Sequence, residues 1–85
     1  MYKIMMRNEK VKKELGKYIS ARDGIDKKLG RLKENPRKES GAHPLYGRLA
    51  GKWGCWLGSN IRMIYEIDDA EKIIMVEAVG SHKIY

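Results

Sequence analysis

The chain holds a single cysteine, two histidines and two prolines among its 85 residues. The lone Cys55 excludes an intramolecular disulfide and any multi-cysteine zinc site. No run of about 18 apolar residues occurs, which excludes a transmembrane helix. The opening Met1 to Arg7 is too short, and too soon followed by charge, for a signal peptide. These absences favour a cytoplasmic protein. There is no Walker-type glycine-rich loop, no zinc ligand set and no Ser/His/Asp order. No cofactor is implied, metal catalysis is not indicated, and any bond cleavage falls to side chains alone. Repeats, low-complexity tracts and long linkers are lacking too, so residues 1–85 form one domain.

What the chain has is charge. At 42% apolar and 34% charged residues, it suits a small folded domain rather than a disordered tail. The net +7 sits wholly in residues 1–40, with 13 basic against 6 acidic side chains, while residues 41–85 hold 5 of each. Two readings stand. A basic half attracts a polyanion, whether nucleic acid, an anionic membrane or an acidic partner; or it is a solvated, lysine-rich helix surface.

Tyr2-Lys3-Ile4-Met5-Met6 reads as an opening strand. Asn8 then suits an N-cap, and Val11, Leu15, Tyr18 and Ile19 make a helical stripe opposite Lys10, Lys12, Lys13 and Lys17. A second helix is expected from Asp23, with Ile25, Leu29 and Leu32 as its stripe and Pro36 as its stop. The pair should form an antiparallel hairpin. Residues 37–52 read as connection with at most one turn of structure. Beyond them the period becomes two. Trp53, Cys55 and Leu57 alternate in one strand; Ile61, Met63, Tyr65 and Ile67 alternate in the next. Ile73 to Val79 is nearly continuous and reads as a central strand that Gly80 breaks, leaving Ser81 to Tyr85 as a tail or last strand. This order predicts a two-layer α+β domain: an N-terminal strand, a helix hairpin and an antiparallel sheet of three to four strands. Helices on one sheet face leave the other free for function. Arg62, Ile64 and Glu66 reach that open face if Ile61, Met63, Tyr65 and Ile67 face the helices.

Few residues can carry chemistry. His43 lies in the glycine-rich connection and His82 follows the central strand. Each is either a proton-transfer group or an ordinary exposed histidine. Arg62 stands mid-strand among apolar neighbours, where its fork of donors matches two phosphate oxygens, or equally pairs with Glu66. Arg48 and Lys52 bracket the entrance to the chain's second strand, which begins at Trp53, as RNA-backbone contacts or as solvated loop charges. Trp56 shares the open face with Arg62 and can stack on a base. Tyr85 can stack, donate a proton or close the core. Cys55 reads as a small core residue.

In their order and spacing, His43-Pro44-Leu45-Tyr46-Gly47, Leu49-Ala50-Gly51-Lys52-Trp53, Arg62-Met63-Ile64-Tyr65-Glu66-Ile67 and Val79-Gly80-Ser81-His82-Lys83-Ile84-Tyr85 resemble the RelE/ParE toxin superfamily. The His-x-Leu-x-Gly opening and the Gly-Ser-His close are similar to its YafQ-like branch, and the Arg-x-x-Tyr strand is similar to RelE proper. The resemblance is strong over residues 35–85, and the first 34 residues agree in element order. It implies a RelE-like fold and the toxin of a type II toxin–antitoxin pair. Such a toxin is a ribosome-dependent, metal-independent mRNA interferase whose substrate supplies its own 2′-hydroxyl. The implied partners are a cognate antitoxin, the ribosome and mRNA, with DNA met only through the antitoxin complex. The implied roles are general acid or base for His82, a second proton transfer for His43, scissile-phosphate contact for Arg62 and nucleotide stacking or orientation for Tyr85; phosphate contact for Lys52 rests on its chemistry more than on the resemblance.

The chain also departs from the family pattern. Trp56 stands where the YafQ-like branch has a histidine, and Asn60 where it has an aspartate. The catalytic set is thus a mixture, which implies weak or altered cleavage. Two alternatives follow: a ParE-like toxin that poisons DNA gyrase, and a catalytically degenerate RelE-fold binding module.

Overall fold

A computed structural model of the chain describes residues 1–58 and 60–81. Strand β1 spans Lys3–Met6, helix α1 Glu9–Ala21 and helix α2 Ile25–Glu34. Short 3-10 turns at Glu39–Gly41 and Gly47–Leu49 flank a two-residue strand, β2, at His43–Pro44. Strands β3 (Trp53–Gly58), β4 (Ile61–Asp68) and β5 (Ile73–Ser81) follow. The sheet order is β1-β5-β4-β3-β2, with β1 parallel to β5 and all other pairs antiparallel. The expected two-layer α+β order is present. Its sheet is wider than the meander alone, because β2 pairs with the start of β3 and β1 closes the far edge against β5.

Local chemistry explains most boundaries. Asn8 accepts from the Val11 amide at 2.9 Å, satisfying a helix-end donor of α1. The second helix begins at Ile25, not at Asp23. Gly24 turns the chain at φ 91, a left-handed value that glycine tolerates without strain, and regular helix starts only after it. Before Pro36, the Asn35 amide closes α2 on the Arg31 carbonyl.

Val11 and Leu15 of α1 and Ile25, Leu29 and Leu32 of α2 pack onto Cys55, Leu57, Ile61, Met63, Tyr65, Ile74, Val76 and Val79. Each such side chain contributes about 1.5–3 kcal/mol by leaving water. Ile19, expected in the α1 stripe, is 39% exposed. Eight residues at about 100° each carry it ~80° away from Val11, to the edge of the stripe.

β5 resolves a puzzle of periodicity. Its ladder with β4 slips between Ile64 and Tyr65, so that Ile64 opposes Ala78 while Tyr65 opposes Val76. Glu77 is the extra residue of this bulge, and it shifts the alternation by one. Ile74, Val76 and Val79 are therefore all buried in the core. Gly80 does not break the strand. It pairs with Arg62, and Ser81 pairs with Ile61, because a glycine weakens a ladder without removing its backbone donors and acceptors. Of the expected tail, residues 82–85 lie outside the described residues. Among the described residues, no helix is long and apolar enough to cross a membrane.

Candidate functional site

Paired residues of neighbouring strands share a sheet face. The face opposite the helices therefore carries the row His43, Gly54, Ile64, Ala78 and, beside it, the row Trp56, Arg62, Gly80. Glu66, opposite Met75, continues the same face. Arg62, Ile64 and Glu66 thus stand where strand alternation placed them. His43 joins them through β2, which brings the glycine-rich connection onto the sheet. His43 and Arg62 are two strands apart and offset by two residues along the sheet, a backbone separation of about 12 Å.

Gly41 organises this face. Its carbonyl lies 3.0 Å from His43 Nδ1. A carbonyl only accepts, so this bond places the proton on Nδ1 and leaves Nε2 of the neutral ring with a free lone pair. Gly41 has φ +68, and a Cβ built on it would lie 3.0 Å from Trp56 Cδ1. The Trp56 ring therefore rests against bare backbone. The Arg62 guanidinium lies over this indole, 4.0 Å from the ring centroid, at cation–π distance. One glycine thus abuts both the imidazole and the aromatic support of the arginine. In the sequence, Gly41 is one glycine of the connection over residues 37–52. A glycine two residues before a candidate histidine was the available signal.

Lys52 sits at the other end of the face. Its backbone carbonyl accepts from the Leu45 amide, and its ammonium donates to Glu66 and, at 3.0 Å, to Glu77. These carboxylates, Glu66 first, raise the Lys52 pKa above its ordinary value, so the ammonium stays charged. Glu77 also accepts from Arg7 at 2.8 Å. Glu77 follows the buried Val76 and points to this side by alternation, while the bulge keeps Ala78 on the same face and returns Val79 to the core.

Arg48 is exposed on the Gly47–Leu49 turn, outside the strands that form the face. Cys55 is buried on the helix side, and burial pushes its thiol up to about 12, which makes it a core residue and not a nucleophile. Tyr65 is also fully buried, its hydroxyl donating to the Pro36 carbonyl at 2.6 Å. His82 and Tyr85 lie outside the described residues. Among the described residues, no cluster of three or more His, Cys, Asp or Glu could hold a metal ion.

Comparison with known proteins adds to this geometry. No curated protein sequence matches the chain. Solved structures do. The YoeB/ParE toxin from Agrobacterium tumefaciens is 17% identical, with 94% of this chain and 98% of that one covered at a TM-score of 0.73. The toxin–antitoxin complex RelBE2 from Mycobacterium tuberculosis matches at 22% identity, 95% and 98% coverage and a TM-score of 0.72. YafQ from E. coli matches at 20% identity, 98% and 96% coverage and a TM-score of 0.68. These likenesses establish the fold. The family model of the ParE toxin of the type II toxin–antitoxin system parDE matches residues 5–84, nearly the whole chain. The chain therefore belongs to the ParE toxin family of type II toxin–antitoxin systems, within the RelE/ParE superfamily.

Proposed function

We propose that this toxin is an mRNA interferase that cleaves RNA on the open face of its sheet, using side chains alone, in the ribosomal A site. The observation that carries the reading is the pairing of His43 and Arg62 on one face, each tied to Gly41 directly or through Trp56. A cleavage of this kind needs a base, a cation for the phosphorus-centred charge and an acid. Nε2 of His43 takes the 2′-hydroxyl proton. The 2′-oxygen bonds to phosphorus as the bond from phosphorus to the 5′-oxygen breaks. Arg62 offsets the charge on the phosphate, and His82, assigned from its place in the sequence, returns a proton to the leaving oxygen. The products are a cyclic phosphate and a 5′-hydroxyl. DNA, lacking the 2′-hydroxyl, is not a substrate.

The charge distribution supports an RNA-rich setting. Among the described residues, every ion pair uses Arg7, Arg37 or Lys52, all outside the two helices. The helix cations, Lys10, Lys12, Lys13 and Lys17 among them, stay available for a phosphate backbone. A cognate antitoxin is the natural protein partner, since the solved neighbours include toxin–antitoxin complexes. The ParE family match favours one rival, a gyrase poison.

Induced expression with primer extension on a translated reporter mRNA separates the two. Growth arrest with cuts inside codons, abolished by His82→Ala with Arg62→Ala, is the expected result. Arrest without cuts moves the target to gyrase. A folded protein that arrests nothing is a degenerate binding module.

A further inference from the structure

We propose that Trp56 is a positioning residue for Arg62: its indole pre-aims the guanidinium at the substrate phosphate, in a seat that Gly41 leaves open. The inference deepens the cleavage reading above and rests on it.

Trp56 and Arg62 are direct cross-strand partners on the open face. The guanidinium stands 4.0 Å from the indole centroid, where stacking holds its plane as well as its charge. A long arginine otherwise samples many rotamers, and each must be frozen when substrate arrives. The indole needs its own support, and the chain provides it by an unusual backbone. Ser40 and Gly41 are consecutive left-handed residues, at φ 58 and φ 68. They bring the Gly41 backbone so close that a side chain there would meet Trp56 Cδ1 at 3.0 Å. Ser40 is secured in turn by its hydroxyl, which donates to the Lys28 carbonyl of α2 at 3.2 Å. A chain of contacts thus runs from α2 through residues 40 and 41 and the indole to the guanidinium. With one ring face under Arg62, Trp56 serves the arginine rather than a nucleotide base.

The test uses Trp56→Phe, Trp56→Leu and Gly41→Ala in the full chain, each checked for unaltered thermal unfolding. Cleavage of a translated mRNA is measured alongside binding of a 2′-O-methyl RNA that cannot be cut. Trp56→Phe keeps an aromatic face and should retain cleavage within about threefold. Trp56→Leu keeps an apolar but smaller side chain without one and should lose about a hundredfold in kcat, the loss expected from misplacing a group by ~1 Å, while RNA binding changes little. In a double-mutant cycle, Trp56→Leu should add almost nothing once Arg62 is replaced by Gln. If the leucine variant is unstable, Gly41→Ala decides, with a smaller fall in kcat that also vanishes in the Arg62→Gln background. A leucine variant that cleaves normally, or additive effects in the cycle, would overturn the role. If the unaltered chain cuts no mRNA, the cleavage reading fails first and this role with it.

Discussion

Glu77 holds the Lys52 ammonium at 3.0 Å on the open sheet face while binding Arg7 at 2.8 Å. With Glu66 on the same ammonium, two carboxylates and two cations cancel there. The pull of Lys52 on a phosphate is thus weakened. Replacing Glu77 by Gln keeps the shape and removes one negative charge. Binding of an uncleavable single-stranded RNA should tighten at low salt, and its log–log salt slope should steepen by about 0.7 per cation released. The partly exposed ion pairs limit the stability cost to about 1 kcal/mol. Filter binding across salt and urea unfolding check both. An unchanged slope would mean that Lys52 never meets the RNA backbone.

A second ion pair makes stability depend on acid. Arg37 grips Asp69 with two bonds, Nη1 to Oδ1 at 3.0 Å and Nη2 to Oδ2 at 2.8 Å, and the Tyr2 hydroxyl donates to the same carboxylate. Arg37 first, then Tyr2, lowers the Asp69 pKa to about 2. A depressed carboxylate contributes stability that is complete above its unfolded pKa, about 4, and is lost as pH falls through the folded one. The stability of the unaltered chain should therefore decline between about pH 4 and pH 2 more than that of Asp69→Asn. Urea midpoints at half-unit pH steps test this. Parallel declines would show that the grip contributes nothing in solution.

Tyr65 separates fold from site within the Arg-x-x-Tyr stretch. Its hydroxyl donates to the Pro36 carbonyl inside the core, on the opposite face from Arg62. Tyr65→Phe leaves that buried carbonyl without this donor and should cost about 1–3 kcal/mol of unfolding free energy. mRNA cleavage at low temperature should be unchanged. A cleavage defect in a fully folded variant would place the ring in the chemistry.

These residues show what a sequence of this size reveals. Period and caps gave the helices and the meander, because Asn8, Val11, Leu32, Met63 and Tyr65 each obey a local rule. The bulge at Glu77 was hidden, since it depends on how two strands register and not on either strand alone. The parallel seat of β1 on β5 was likewise a matter of long-range pairing. Gly24 shifted a helix start by adopting a left-handed turn that an acidic first residue does not disclose. At the site, His43 and Arg62 were legible as residue types. Their link through Gly41 and Trp56 was not, because it joins a 3-10 turn to the third strand across the sheet.

The helix cations offer a test independent of the proposed cleavage centre. Lys13 and Lys17 are exposed on α1, and no carboxylate of a described residue pairs with them. Replacing both by Gln should lower the salt slope of binding to duplex RNA by about 2, with affinity at 50 mM salt reduced for every sequence alike. A sequence-dependent loss, or none, would restore the reading of α1 as a merely solvated surface.

His43 carries the most specific chemical expectation. Its Nδ1 proton is committed to the Gly41 carbonyl, so the base in the proposed cleavage is Nε2. His43→Ala should lower kcat by about 10²–10⁴ without changing RNA affinity. Arg62→Ala, which removes charge stabilisation instead, should cost about 2–4 kcal/mol of transition-state binding. Single-turnover cleavage of a translated mRNA, with RNA binding measured alongside, checks both variants. If His43→Ala keeps its rate, the proton leaves the 2′-hydroxyl by another route, and His82 becomes the residue to replace.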